Sequence, residues 1–200
     1  MEAPALKRLT EIADSAGIFL DFDGTLAEIA PTPAEVVPAS GAVEVLGGLA
    51  RRCALLAVVT GRRAADIRAL LPLDGVEVFG VYGLEGAAAA GSTAPVRTEL
   101  ERIAGLVPGA WVEDKGVSLT LHYRLAADPD SAADVLGSKV AALARQRGLV
   151  VIEGKRAVEV ASERVPGKGA VIEGEIQARR LPAALYAGDD IADLDAFDAL

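Results

Sequence analysis

The chain has 200 residues, 52% of them hydrophobic, with a formal net charge of −9 and a single cysteine, Cys53. That is enough apolar chain for one or two packed domains and too much for disorder. The acidic balance excludes nucleic acid and anionic membrane surfaces as main partners, and one thiol excludes a disulfide framework or thiolate metal cluster. From the N-terminus, Leu6, Leu9, Ile12 and Ala13 recur at helical spacing among charges, unlike a signal peptide. No apolar run reaches membrane-spanning length, so a cytoplasmic protein is expected, and a monomer is favoured. A buried strand, GIFLD from Gly17 to Asp21, leads into a proline-rich loop, PTPAEVVPAS. A helix is predicted around Gly41–Arg52, a strand over Ala54–Thr60, a helix in GRRAADIRALL and a third strand over Val76–Gly83. Apolar strands alternating with helices predict a parallel sheet covered on both faces.

The rhythm then changes. A connector over Ala87–Pro95 precedes a short helix, a strand pair around Trp111–Ala126, and a helix from about Asp130 to Arg147 with Asp130 as its cap. In VSLTLHYR, apolar Val117, Leu119, Leu121 and Tyr123 alternate with Ser118, Thr120, His122 and Arg124, the period of a half-buried strand with one open face. Gly154-Lys155 marks a hairpin turn between VVIE and RAVEV. The chain then returns through SERVPG to a helix (GKGAVIEGEIQARR), a fourth apolar strand (ALYAG), and a final acidic loop and helix. The expected fold is α/β: a Rossmann-like parallel-sheet core domain, 1–84 and 163–200, with an inserted α+β cap domain over 85–162. The connectors are expected near Leu84–Pro95 and Ser162–Gly167.

The chemistry concentrates where core strands end. Asp21 and Asp23 follow the first strand, with Phe22 between them turned toward packing by alternation. Two carboxylates that close repel unless a cation or a shared proton compensates, which points to a hard divalent ion; Asp-Gly is equally ordinary turn chemistry. Thr60-Gly61-Arg62 closes the second strand and suits a phosphoryl oxygen, or Thr60 is simply a helix N-cap. Lys168-Gly169 opens a helix and can neutralise an anion or hold an aspartate. Gly188, Asp189, Asp190 and Asp193 end the fourth strand, where Asp189 facing the first pair would complete an oxygen shell for Mg²⁺. Carboxyl ends of strands in such a sheet converge on one crevice.

In this order DFDGT, TGR, KG and GDDxxD resemble the signature motifs of haloacid dehalogenase superfamily phosphatases. The strings EDKGVSLTLHYR, AVEV and GDDIADLDAF are similar to those of trehalose-6-phosphate phosphatases. Three departures stand out. Tyr82 occupies a usual His position, Ala192 and Leu194 replace the family's Thr and Glu, and the chain stops at Leu200 where the family usually continues, leaving truncation open.

The resemblance implies Asp21 as nucleophile and Asp23 as general acid/base. It implies Mg²⁺ on Asp21, the Asp23 carbonyl oxygen and Asp189, with Asp190 and Asp193 in support. Thr60, Gly61, Gly24 and Lys168 would bind phosphate, while Arg62, Glu113, Lys115, His122, Arg124 and Glu159 would contact substrate. Strict alternation puts Glu113 and Lys115 on a different sheet face from His122 and Arg124 unless Gly116 introduces a bulge. The implied activity is hydrolysis of a sugar phosphate, most of all trehalose 6-phosphate. Sucrose- or mannosylglycerate-phosphate hydrolysis, phosphosugar mutation and a non-catalytic sugar-phosphate sensor are the competing readings.

Overall fold

The computed structural model describes residues 4–83, 94–162 and 166–200. The chain divides into two compact units, Met1–Gly83 with Pro166–Leu200, and Leu84–Val165. Much of both connector segments anticipated from the sequence lies outside the described residues.

The first unit holds a parallel sheet in the order β3-β2-β1-β8. Its strands are β1 (Gly17–Leu20), β2 (Leu55–Val59), β3 (Val76–Phe79) and β8 (Ala184–Ala187). The helices of this unit are α1 (Pro4–Glu11), α2 (Ala42–Ala50), α3 (Ala64–Leu70), α6 (Gly167–Arg179) and α7 (Leu194–Asp198). β2 is buried along its whole length, as a central parallel strand with both faces covered must be. Leu20, Phe22, Leu46, Val58 and Ile67 form one core layer, and Phe19, Ala57, Ile172 and Ala196 another. β1 pairs with β2 on one side and β8 on the other, with Leu20 opposite both Val58 and Ala187. The carboxyl ends of these three strands therefore lie side by side, at the place where the chain reverses its winding direction.

β3 is shorter than the sequence predicts. Pairing stops at Phe79 because Val81 and Tyr82 adopt left-handed backbone (φ 45° and 55°) in a tight turn. Their amides are redirected: Val81 N–H donates to Arg62 O at 2.9 Å and Tyr82 N–H to Thr60 O at 3.0 Å. A fully buried β-branched residue at positive φ is strained, and such strain persists only where surrounding bonds enforce it.

The second unit is an antiparallel sheet, order β4-β5-β7-β6, with α4 (Ala94–Ala104) and α5 (Pro129–Arg147) packed on one face. Its strands are β4 (Trp111–Asp114), β5 (Ser118–His122), β6 (Leu149–Gly154) and β7 (Ala157–Ser162). Leu119, Leu121, Val158 and Val160 point from the sheet into a core with Leu100, Leu136 and Val140. The cap of α5 is Asp128, not Asp130: Asp128 Oδ1 accepts from Asp130 N at 3.2 Å and Ser131 N at 3.1 Å, with Pro129 at the first helical position. Likewise the β6–β7 turn is Lys155-Arg156 rather than Gly154-Lys155, since Gly154 still pairs with Ala157.

The largest correction concerns sheet faces. Lys115 N–H donates to Ser118 O at 3.0 Å, so a two-residue turn, Gly116-Val117, joins β4 to β5. Glu113 then lies opposite Thr120, and Trp111 opposite His122. Alternation applies within a strand and restarts across a hairpin, so Glu113, Lys115, Ser118, Thr120 and His122 share one face without a bulge. Nor is that face open, since Ser118, Thr120, His122 and Glu159 are all buried.

Candidate active site

At the carboxyl edge of the parallel sheet, Asp21 continues the β1–β8 ladder through its amide, which donates to Ala187 O at 2.8 Å. Phe22 turns fully into the core, and the chain then doubles back, with Leu26 and Ala27 donating to Phe22 O. Asp21 is thereby held inside. Its partner is Lys168 at the start of α6, whose Nζ donates to Asp21 Oδ1 at 2.7 Å and to Asp193 Oδ1 at 2.5 Å. Lys168 is only 4% exposed and Asp193 is fully buried. Asp193 also takes the Tyr186 hydroxyl on Oδ1 and the amides of Asp189 and Asp190 on Oδ2, both at 2.8 Å.

The electrostatics follow from this burial. Burial pushes the Asp21 carboxyl up to about 6, against the opposing pull of Lys168. Burial alone would lower Lys168, but the two carboxylates outweigh it and hold it above its ordinary value. Burial alone would raise Asp193, yet its bonds from Lys168 and Tyr186 keep it below the usual carboxylate range. The Tyr186 phenol is driven upward by burial and by Asp193, so it donates and does not ionise. The ammonium is thus fixed between two carboxylates, of which Asp193 is saturated with donors.

Asp21, Asp189 and Asp193 each place one carboxylate oxygen within 4.8 Å of the others. This donor set is all oxygen and suits a small hard dication. Asp193 already accepts from four donors, so Asp21 and Asp189 are the candidates in this set for direct contact with such an ion. Gly24 fits the same picture. It has φ +91°, and a Cβ there would lie 2.2 Å from Asp189 Oδ2, so the chain must be bare where this carboxylate comes in.

The Asp23 carboxylate is not part of that acidic group. Arg62 holds it through Nε–Oδ2 at 2.7 Å and Nη2–Oδ1 at 2.8 Å. The two aspartates therefore do not share one compensating charge: Lys168 serves Asp21 and Arg62 serves Asp23. Thr60 is buried and accepts from Arg62 N–H at 3.1 Å, leaving its own O–H to donate. It does not cap α3, whose N-cap is Arg63. Gly61 sits under the Tyr82 hydroxyl, 2.7 Å from where a Cβ would be. Asp190 caps the 3₁₀ turn over Ile191–Asp193 in a reciprocal capping box with Asp193.

The remaining sequence-derived candidates lie in the second unit, four of them on one sheet face. Lys115 Nζ donates to Glu159 Oε2 at 2.8 Å, and His122 Nε2 lies 2.8 Å from Glu113 Oε2. Trp111 stacks on His122 with ring centroids 4.5 Å apart. Buried Ser118 Oγ, Thr120 Oγ1, His122 Nδ1 and Glu159 Oε1 have no hydrogen-bond partner among the described residues. Native structures rarely leave such atoms unpaired, so four on one face mark a place for polar ligand atoms or water. Arg124 lies beyond β5 and donates through Nη2 to Lys155 O at 3.3 Å. Sequence reasoning missed Tyr186 and Trp111. A tyrosine inside the apolar run ALYAG was the available signal, because a buried phenol needs an acceptor.

Among the described residues, no helix is long and apolar enough to cross a membrane. The family described as Trehalose-phosphatase matches residues 19–200. A trehalose-phosphate phosphatase of Mycobacterium marinum is 34% identical over 201 residues, covering 92% of this chain and 51% of the relative. An uncharacterized glycosyl hydrolase of Mycobacterium tuberculosis is 36% identical over 204 residues, covering 92% of this chain but 15% of its own length. The chain thus spans about half the length of the trehalose-phosphate phosphatase and a minor part of the glycosyl hydrolase. Among solved structures, a trehalose-6-phosphate phosphatase related protein superposes with TM-score 0.70 at 28% identity, covering 91% of this chain and 81% of the other. The C-terminal domain of a C. albicans trehalose-6-phosphate phosphatase shares the fold, with TM-score 0.85 at 22% identity over 100% of this chain and 78% of the other. With the family match running through nearly the whole sequence, the chain belongs to the trehalose-phosphatase family.

Proposed function

We propose that this chain is a Mg²⁺-dependent phosphatase that hydrolyses a sugar phosphate, trehalose 6-phosphate, through a phosphorylated Asp21. The observation that carries the reading is the buried set of Asp21, Lys168, Asp193 and Asp189 at the carboxyl edge of the sheet. Asp21 and Asp189, with the Asp23 carbonyl oxygen, would hold Mg²⁺. When bound, the ion neutralises charge so that an anionic carboxylate can approach an anionic phosphate.

Asp21 supplies the attacking oxygen. Its bond to phosphorus forms as the bond from phosphorus to the sugar oxygen breaks, and Asp23 gives that oxygen a proton. Water then attacks the phosphorus, its proton passes to the Asp23 carboxylate, and phosphate leaves Asp21. Lys168, the Thr60 hydroxyl and the amides near Gly24 and Gly61 are the donors for the equatorial oxygens. In this acidic protein they supply the local positive field that an anionic substrate requires.

The second unit, taken as the 85–162 cap, would recognise the sugar through Glu113, Lys115, His122 and Glu159. Its support is the unpartnered polar atoms on their shared face. The test is phosphate release from a panel of trehalose 6-phosphate, sucrose 6-phosphate and mannosylglycerate phosphate, with and without Mg²⁺. Turnover that needs Mg²⁺, prefers trehalose 6-phosphate and vanishes in Asp21→Asn is expected. Binding without turnover would make the chain a sensor instead.

A further inference from the structure

Resting on the phosphatase reading, we infer that Arg62 is the positioning residue for Asp23 in the leaving-group step, not a ligand of the substrate. Each of its three guanidinium nitrogens donates a hydrogen bond. Nε and Nη2 grip both oxygens of Asp23, Nη1 donates to Pro33 O at 3.0 Å, and the group lies 5.7 Å from the centroid of the Phe22 ring. Its backbone is fixed too: Arg62 N–H donates to Thr60 Oγ1 and Arg62 O accepts from Val81 N–H. The strained Val81-Tyr82 turn thus ends on the residue that carries the fork.

The exposures assign the roles. The Arg62 side chain is 15% exposed and that of Asp23 is 37% exposed, so the arginine is the anchored half and the aspartate the accessible half. A planar guanidinium binding bidentately dictates where both carboxylate oxygens lie, which a point-charge ammonium does not. Both Asp23 oxygens accept from Arg62, so in this geometry neither donates. To deliver a proton, one oxygen must carry it and turn out of the fork. The other oxygen stays bonded, and the carboxyl keeps its aim. After the proton has moved to the sugar oxygen, the free carboxylate returns to the bidentate arrangement, ready to take a proton from the attacking water.

This role has a signature that a merely structural arginine lacks. A sugar alkoxide is a poor leaving group and needs the proton, whereas p-nitrophenolate leaves without it. Leaving-group release in the first turnover of trehalose 6-phosphate and of p-nitrophenyl phosphate is to be compared in wild type, Arg62→Met, Arg62→Lys and Asp23→Asn, alone and combined. General acid catalysis contributes about 10²-fold or more, so in the first turnover, before the water-attack step that both substrates share, Arg62→Met should slow release of the sugar by roughly that factor, with only a few-fold loss in release of p-nitrophenol. Arg62→Lys, which keeps the charge but not the fork, should show the same substrate bias. Adding Arg62→Met to Asp23→Asn should cost nothing further. Equal losses on both substrates, or additive losses in the double variant, overturn the role of Arg62. Wild type inert on both substrates overturns the phosphatase reading itself.

Discussion

Replacing Lys168 by Met removes the one cation between Asp21 and Asp193 while keeping most of the side-chain volume. Lys168 is 4% exposed and bonds both carboxylates, at 2.7 and 2.5 Å, so neither finds water in its place. Removing one partner of a buried ion pair costs about 3–5 kcal/mol, because the remaining charge is left uncompensated. For a chain of this size, that lowers Tm by roughly 6–20 °C. The cost should depend on pH. Asp21, already pushed up to about 6 with the lysine present, escapes the penalty by taking a proton as the pH falls. Asp193 keeps Tyr186 and two backbone amides as donors and escapes less readily. Urea unfolding in EDTA, followed by far-UV circular dichroism, should therefore give a larger loss at pH 8 than at pH 5. Trp111 is the only tryptophan and belongs to the other unit, so its fluorescence is not the probe. A loss below about 1 kcal/mol at pH 8, or one equal at both pH values, would refute the buried-network reasoning.

Three further outcomes are expected. Asp21→Asn should abolish phosphate release, yet in EDTA it should be at least as stable as wild type above pH 6. A carboxyl whose folded pKa is raised contributes stability below its unfolded value near 3.8 and loses it as pH rises through about 6, and Asn carries no such loss; calorimetry at pH 5 and 8 tests the sign. Gly24→Ala should abolish the stabilisation given by Mg²⁺, which for wild type amounts to about 2.7 kcal/mol at 100-fold excess over Kd. The new methyl would sit 2.2 Å from Asp189 Oδ2, and equal thermal shifts in the two proteins would contradict this. Leu136→Ala should destabilise the second unit by about 2–5 kcal/mol, read by Trp111 fluorescence, because Leu136 is fully buried in the core cluster to which α4, α5, β5 and β7 contribute.

Local sequence carried much of the fold. The run GIFLD, the uniformly apolar ALLAVVT and ALYAG could only be covered strands, and the helices between them required a parallel sheet. The period of VSLTLHYR identified an antiparallel strand because its core face is apolar at every second residue. Where two equal local signals competed, sequence chose wrongly. Asp128 and Asp130 both suit a helix cap, and only Pro129 at the first helical position separates them. Gly154-Lys155 and Lys155-Arg156 both suit a turn, and the pairing of Gly154 with Ala157 decides.

The sequence by itself determined which elements form and which residue types stand at their ends, since propensity, period and turn chemistry act over a few neighbours. Tertiary structure alone decided the partnerships. Lys168 with Asp21 spans 147 residues and Arg62 with Asp23 spans 39. Both depend on β1 lying between β2 and β8. The shared face of Glu113, Lys115 and His122 depends on a hairpin that restarts the alternation. An ion pair of that kind forms only where packing has excluded water and fixed two distant backbones, and no short window of sequence contains that information.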